Sequence, residues 1–474
     1  MTRRPPDHAV IVGGGLAGIA AAVRLAQRGF RITLIETRKR LGGRATSFTD
    51  PTTGQLIDNC QHVLMGCCTN LLDLYRRLGV AERMQWSRRL HFAGPTQPNH
   101  DGRWRIDALE ADDLPAPLHM TRSMMRFRTL SLGDKVAIGR GLLAMTRLGR
   151  DGRQALADRS FLDWLTEHHQ PRRAIERFWS VITISALNEL PQQSAASYAM
   201  QVFQEGFLAN RDAYVMGLPD VPLVQLYDPA EQVIHDAGGR ILLGAGARRF
   251  LFEEGRVSAL ELADGAKITA DVFISAVPFD RLAKLVDVDM CKADTRLRRL
   301  DRFSVSPIIG IHLWFDRPVM DLPHLILMAG PLQWLFNKGM DDSGRQHLHG
   351  VISAAHELVD TPAEALIDMA VAQLGRVLAG AVDGRLIHGR VVKEKRATFS
   401  VRPGVDRLRP AARGGIANLY LAGDWCRTGW PATMEGAVRS GYLAAAACLI
   451  DARQSAEALV PDLPGSDLYR MVAP

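Results

Sequence analysis

The sequence predicts an α/β fold, with a Rossmann-type parallel sheet joined to a discontinuous α+β domain. Three observations predict it. A β-α-β pattern around a glycine turn fills residues 8–36, a second strand–turn–helix pattern closes residues 419–450, and the region between them changes character. At 474 residues the chain is too long for one compact core, so two domains are expected.

Each element has its own signal. His8–Val12 is a short apolar run with β-branched residues, as in a buried parallel strand. Residues 13–18 form a tight glycine turn, and residues 19–28 are Ala-rich at helical spacing until Gly29 ends the helix. Residues 31–35 make a second strand, closed by Glu36. From 91 to 224 come Pro95, Pro98, Pro115 and Pro117, then helical segments rich in Met, Leu and Arg. Arg240–Leu243, Arg256–Leu262 and residues 272–276 read as strands separated by Gly-Gly and Asp-Gly turns. Residues 304–315 alternate imperfectly, as a sheet strand of the second domain. Residues 419–422 give a last strand and 434–450 a last helix. One domain is therefore assembled from 1–90, 225–290 and 395–455, and the other from 91–224 and 291–394. No repeat or low-complexity segment interrupts them. Only the last dozen residues are expected to be disordered.

Composition narrows the function classes. Apolar residues make up 47 % and charged residues 23 %, as in a globular protein. The net charge is +7, but no Lys/Arg run is interleaved with aromatics, so nucleic acid is not an expected partner. No apolar stretch reaches the roughly 18–20 residues of a membrane span. Arg3 and Arg4 ahead of an apolar run mimic a signal peptide, yet Gly13, Gly14, Gly15 and Gly18 interrupt that run and no small-residue cleavage site follows. The six cysteines show neither metal-ligand pairing nor a disulfide framework, which suits a reducing cytoplasm and implies no metal.

The chemistry concentrates at the two ends. Gly13-x-Gly15-x-x-Gly18 follows a strand and opens a helix, so Leu16 and Ala17 would present free N–H groups to a pyrophosphate. Glu36, ending the next strand, can accept hydrogen bonds from ribose hydroxyls. Arg40-Leu41-Gly42-Gly43-Arg44 is a second anion-friendly loop, with Arg44 able to neutralise pyrophosphate charge. Near the other end, a strand runs into Gly423-Asp424, and a helix starts at Met434-Glu435-Gly436-Ala437. Its N-terminus could stabilise negative charge on a reduced cofactor ring.

Together these motifs resemble the amine oxidase and phytoene desaturase superfamily of flavoproteins. The resemblance implies non-covalent FAD held by Gly13, Gly15, Gly18, Glu36, Arg40, Gly43, Arg44, Gly423, Asp424 and Met434. It aligns Ala247, in Gly244-Ala-Gly-Ala-Arg-Arg, with the strand residue whose backbone meets adenine. Asp58-Asn59-Cys60-Gln61-His62 and the run from Thr428-Gly429-Trp430-Pro431-Ala432-Thr433 to Ser440-Gly441 are similar to the isoprenoid-acting branch, most of all to the hydroxysqualene dehydroxylases. What this implies is loss of an allylic hydroxyl, with hydride delivered to carbon from N5 of reduced FAD. The rival is a carotenoid-type desaturase running the flavin the other way. A third option, an amine oxidase, lacks a paired-aromatic signal. A fourth is a non-catalytic flavoprotein partner of a polyprenyl synthase.

Several residues keep two readings. His62 is a candidate proton donor or a polar loop-ordering residue; Asp58 is a candidate acid or a turn residue. Cys60, Trp430 and Pro431 are candidate substrate-lining residues, with core packing as the plain alternative for Trp430. The adjacent Cys67 and Cys68 read as a helix start rather than a redox pair. Residues 120–150, basic and rich in Met and Leu, suit the inner face of an anionic membrane, a helix packing over a substrate tunnel, or both. Expected partners are an apolar isoprenoid, that membrane surface and squalene-synthase-like enzymes. Gly139-Arg-Gly141 and Gly244-Ala-Gly246 do not make a second nucleotide site, so the external reductant, such as NAD(P)H, leaves no mark.

Overall fold

A computed structural model describes residues 7–95 and 104–473; Arg3, Arg4 and Pro98 lie outside them. A five-stranded parallel sheet runs in the order Arg240–Leu243, Arg31–Glu36, His8–Val12, Val272–Ser275, Leu419–Leu421. Distant segments meet here because each is a short apolar strand buried on both faces. Val10, Ile11, Leu34, Phe273, Ile274 and Leu421 are all fully buried. Two helices cover one side, Leu16–Ala26 and Met434–Asp451. They pack closely because Gly441 lies against the first of them; a Cβ there would come within 2.2 Å of the Ala17 carbonyl oxygen.

The second sheet has seven strands, in the order Leu386–Phe399, Val305–Phe315, Gln346–Ser353, Trp334–Met340, His324–Leu327, Leu90–Pro95, Trp104–Leu109. The Val305–Phe315 strand divides its residues between two faces, as the two-residue period requires. Ile309, Ile311, Leu313 and Phe315 pack with Leu366, Ala370 and Leu374 of the Ala363–Val377 helix. Ile308, Gly310, His312 and Trp314 are on the other face, which meets the cleft and residues 55–60. A helical layer between residues 121 and 226 closes the far side around Phe161, Trp164, Trp179 and Phe203.

Two expectations change. The first helix begins at Leu16, one turn earlier than the Ala-rich stretch suggests, so Gly18 lies inside it. The last dozen residues are ordered as far as Ala473: Ser466 caps a short helix, Asp467–Val472, and Tyr469 is buried against the core. Burial of one aromatic anchor offsets the entropy of fixing so short a tail. Among the described residues all six cysteines are free, and none of the His, Cys, Asp and Glu groups form a metal site. No helix among them is long and apolar enough to cross a membrane.

Candidate functional site

A cleft of about 730 Å³ runs between the two sheets. Its floor is the glycine turn. Gly13 adopts φ +110° and Gly15 sits at the helix N-cap, with Gly15, Leu16 and Ala17 lining the cleft. The first N–H groups of any helix lack intrahelical partners, so this floor is ready for an anion. Gly18 does not line it. A Cβ there would stand 1.9 Å from the Gly13 carbonyl oxygen, so this glycine shapes the turn. Glu36 ties the turn down: one carboxylate oxygen accepts from Gly14 N–H at 2.8 Å, the other from Arg38 N–H at 2.8 Å. Ala245, Gly246, Ala247 and Arg248 line the same end.

The second glycine loop lies directly over the first, with Gly42 N–H donating to the Gly14 carbonyl at 2.9 Å. Gly43 and Arg44 line the cleft, whereas Arg40 does not. Arg38 lines it instead and donates to the Gly43 carbonyl at 2.7 Å. Arg44 donates to Asp424 Oδ1 at 2.6 Å and to the Ala397 carbonyl at 2.9 Å, joining the two ends of the chain. Burial alone would lower the Arg44 pKa; the adjacent Asp424 carboxylate more than offsets this, and the guanidinium stays charged.

At the other end, Gly423 and Asp424 meet the start of the Met434–Asp451 helix. Thr433 caps that helix by accepting from Gly436 N–H at 3.0 Å, and Thr433, Met434 and Ala437 line the cleft. Glu435 points away. Fully buried, it accepts from the backbone N–H groups of Asn70 and Leu71, capping the Thr69–Arg77 helix. Trp430 and Pro431 lie outside the cleft. Trp430 packs with Cys67 and Ala213 under the Arg439 guanidinium, so its place is in the core.

Next to this end the cleft becomes apolar. Val63, Ile308, Trp334, Phe336 and Val351 wall it, with Cys60 and His62 beside them. Burial pushes the Cys60 thiol up to about 12, so it stays protonated and inert. His62 Nδ1–H donates to the Cys60 carbonyl at 2.9 Å, which leaves Nε2 as the free ring nitrogen. Burial lowers the His62 pKa, so the ring is neutral at pH 7. Asp58 does not line the cleft. Its Oδ1 accepts from Ser47 Oγ at 2.7 Å and Leu223 N–H at 2.9 Å, and Lys338 Nζ faces its Oδ2 at 3.6 Å. It is a structural crosslink rather than a free acid.

The sequence motifs gave no warning of the apolar wall or of Glu394, a cleft-lining carboxylate near Arg44. Strand alternation across residues 305–315 was the available signal for the wall. Nothing in sequence marked Glu394.

Two helix N-termini, a glycine cradle, an acid at the strand end and a half-buried arginine fit a dinucleotide along the whole cleft. That arrangement defines an FAD-dependent oxidoreductase. The chain belongs to the flavin-containing amine oxidoreductase family, whose model matches residues 16–449. It is 28 % identical over 458 residues to the 15-cis-phytoene desaturase of Synechococcus elongatus, covering 93 % of this chain and 95 % of that one. It is also 28 % identical over 455 residues to the hydroxysqualene dehydroxylase of Sinorhizobium fredii, covering 93 % and 98 %. An oxidoreductase from Methanosarcina mazei shares the fold at a TM-score of 0.69 and 17 % identity, covering 92 % of this chain and 98 % of that one.

Proposed function

We propose that the protein reductively removes the hydroxyl of hydroxysqualene, an apolar allylic alcohol, to give squalene. The observation that carries this reading is the apolar chamber at the flavin end of the cleft, where Trp334, Phe336, Val351 and Ile308 surround a single imidazole, His62. A long hydrocarbon gains by leaving water for such walls, at roughly 25 cal/mol per Å² of apolar surface. The same walls exclude the water that would trap an allylic cation. When bound, FAD supplies two-electron hydride chemistry, recharged by an external donor such as a reduced nicotinamide. Cys60 holds the His62 ring by Nδ1, and Nε2 is the atom through which a proton passes to the leaving oxygen. The Sinorhizobium fredii relative supports the same reading.

One observation favours a second reading. A neutral His62 with a bare Nε2 is set to accept a proton, as desaturation of a carotenoid precursor would require, and the Synechococcus elongatus relative is a phytoene desaturase. Two anaerobic incubations separate the readings. Reduced protein given hydroxysqualene should form squalene as its flavin reoxidises. Oxidised protein given phytoene should leave the flavin oxidised. Reduction of flavin by phytoene, without squalene formation in the first incubation, would reverse the assignment.

The exposed face of the helices over residues 121–148 supports peripheral association with an anionic membrane, from which such a substrate would be drawn. Met125, Leu132, Val136 and Leu143 are exposed there among arginines and Lys135.

A further inference from the structure

The wall of the chamber continues away from the cleft as a column of imidazoles. On the Gln346–Ser353 strand, Ser353 and Val351 line the cleft, and His349 and His347 follow on the same face. On the neighbouring strand Ile308 lines the cleft, and Gly310, His312 and Trp314 follow; the register pairs His312 with His349 and Trp314 with His347. The His312 ring stacks on His349 at 3.8 Å. His312 Nδ1 is 2.9 Å from His347 Nε2, and His312 Nε2 is 3.0 Å from the Asp58 carbonyl oxygen. A carbonyl only accepts, so His312 Nε2 carries the proton and Nδ1 accepts from His347 Nε2–H. The donors of this pair therefore run from His347 through His312 to the Asp58 carbonyl, next in the chain to the cleft-lining Asn59.

Trp314 stacks on His347 at 4.3 Å, His388 is tilted against it at 4.9 Å, and the His388 side chain is 20 % exposed beside Asp50. From Val351 to His347 the column spans about 13 Å. Its inner member, His349, is fully buried with neither ring nitrogen hydrogen-bonded to protein. Its Nε2 lies beside the Asn59–Cys60 backbone, in space that Gly310 leaves open. A Cβ at Gly310 would come within 3.0 Å of that nitrogen and 3.1 Å of the Asn59 carbonyl oxygen. Orphaned nitrogens of this kind are costly in a folded interior unless water or a proton-handling role occupies them.

We infer that His347, His312 and His349, bridged by buried water, relay protons from the His347 end of the column to the His62 end of the cleft. This rests on the dehydroxylase reading. In that reaction the C–O bond breaks, its oxygen takes one proton and leaves as water, and the carbon takes a hydride. The hydride's two electrons come from the reduced flavin and, behind it, the external donor. A neutral His62 in a dry chamber holds no spare proton, so each turnover needs one delivered. His312, His347 and His349 are neutral at pH 7, because burial lowers their pKa values, to about 4 for His312 and about 2 for His347. A relay that does not trap its proton has this property. The charged groups facing the column are Asp58, Lys338, Asp50, Asp341 and Arg390, with His62 and His388 at its ends.

The test uses FAD-loaded full-length protein, reduced anaerobically and mixed with hydroxysqualene between pH 6 and 9. The variants are His349→Gln and His312→Gln. The expected result is retained FAD and a rate lowered about 100-fold at pH 9, the low end of what a positioned proton donor contributes, with a much smaller loss at pH 6. The solvent deuterium isotope effect should rise in both. A structural role would instead lower the rate equally at every pH. Wild-type rates in both variants, a pH-independent loss, or loss of FAD from both would overturn the relay. If only one variant loses FAD, the other decides. Wild-type protein that makes no squalene would overturn the dehydroxylase reading itself, and the relay with it.

Discussion

Gly15→Ala separates cofactor binding from folding. Gly15 has φ −78° and ψ 176°, which alanine adopts freely, and its Cβ would meet only Gly43 Cα, at 3.8 Å. Nothing in the protein resists it. Replacing glycine where the backbone is compatible stabilises by about 0.4–1 kcal/mol through the unfolded chain. In a chain of 474 residues that moves the midpoint by about 1 °C or less. The new methyl group, however, enters the cradle where the pyrophosphate must approach backbone N–H groups. Losing one charge-assisted hydrogen bond costs about 1.5–3 kcal/mol, or roughly 10- to 150-fold in the FAD Kd. Gly18→Ala is the counterpart. Its Cβ would stand 1.9 Å from the Gly13 carbonyl oxygen, a backbone atom that cannot rotate aside, so the fold itself should lose about 1–3 kcal/mol or more. The assays are thermal unfolding of the apoprotein and titration with FAD followed by flavin fluorescence. An unchanged FAD Kd in Gly15→Ala would refute the cradle, and wild-type stability in Gly18→Ala would refute the account of the turn.

Further outcomes follow from the same geometry. His62→Gln should keep FAD yet lower squalene formation about 10²- to 10⁴-fold, measured by single-turnover product analysis; an undiminished rate removes His62 from the reaction. Stability should fall as pH drops from 7 to 5.5. His312 and His347 stay neutral in the fold, at about 4 and about 2, but take up protons near 6.5 once unfolded. Their stabilisation is complete above pH 6.5 and is lost below it, by about 1.4 kcal/mol per site at pH 5.5, which urea unfolding at the two pH values would read. FAD should be released by denaturation, because the cleft-lining Cys60 and Cys426, which follows the Gly423-Asp424 turn, are both buried with thiols pushed up to about 12; flavin that stays with the precipitated chain would contradict this. Binding to vesicles containing anionic lipid should weaken with salt and be lost in Leu132→Glu/Val136→Glu, since those side chains are 66 % and 48 % exposed. Indifference to such vesicles at low salt would exclude the membrane role.

Local chemistry determined the cofactor end of this protein from sequence alone. The glycine turn, Glu36, Arg44 and the helix start at Met434 work through backbone geometry and short-range spacing, and such requirements leave fixed patterns in a chain. The strands at 8–12, 240–243 and 256–262 were legible for the same reason, because burial on a sheet demands runs of apolar residues. Tertiary structure alone decided what the rest of the cleft contains. Asp58 and His62 are four residues apart, yet one is tied into a crosslink with Ser47 and Leu223 while the other lines the cleft. Arg38 rather than Arg40 lines it, because a loop's side chains take directions that spacing does not encode. Trp430 looked like a wall beside the flavin motif, but the true wall comes from Trp334 and Phe336 on another domain's sheet. The imidazole column was invisible for the most general reason. His312 and His347 are separated by more than thirty residues, and only strand register, a long-range property, brings their rings to 2.9 Å.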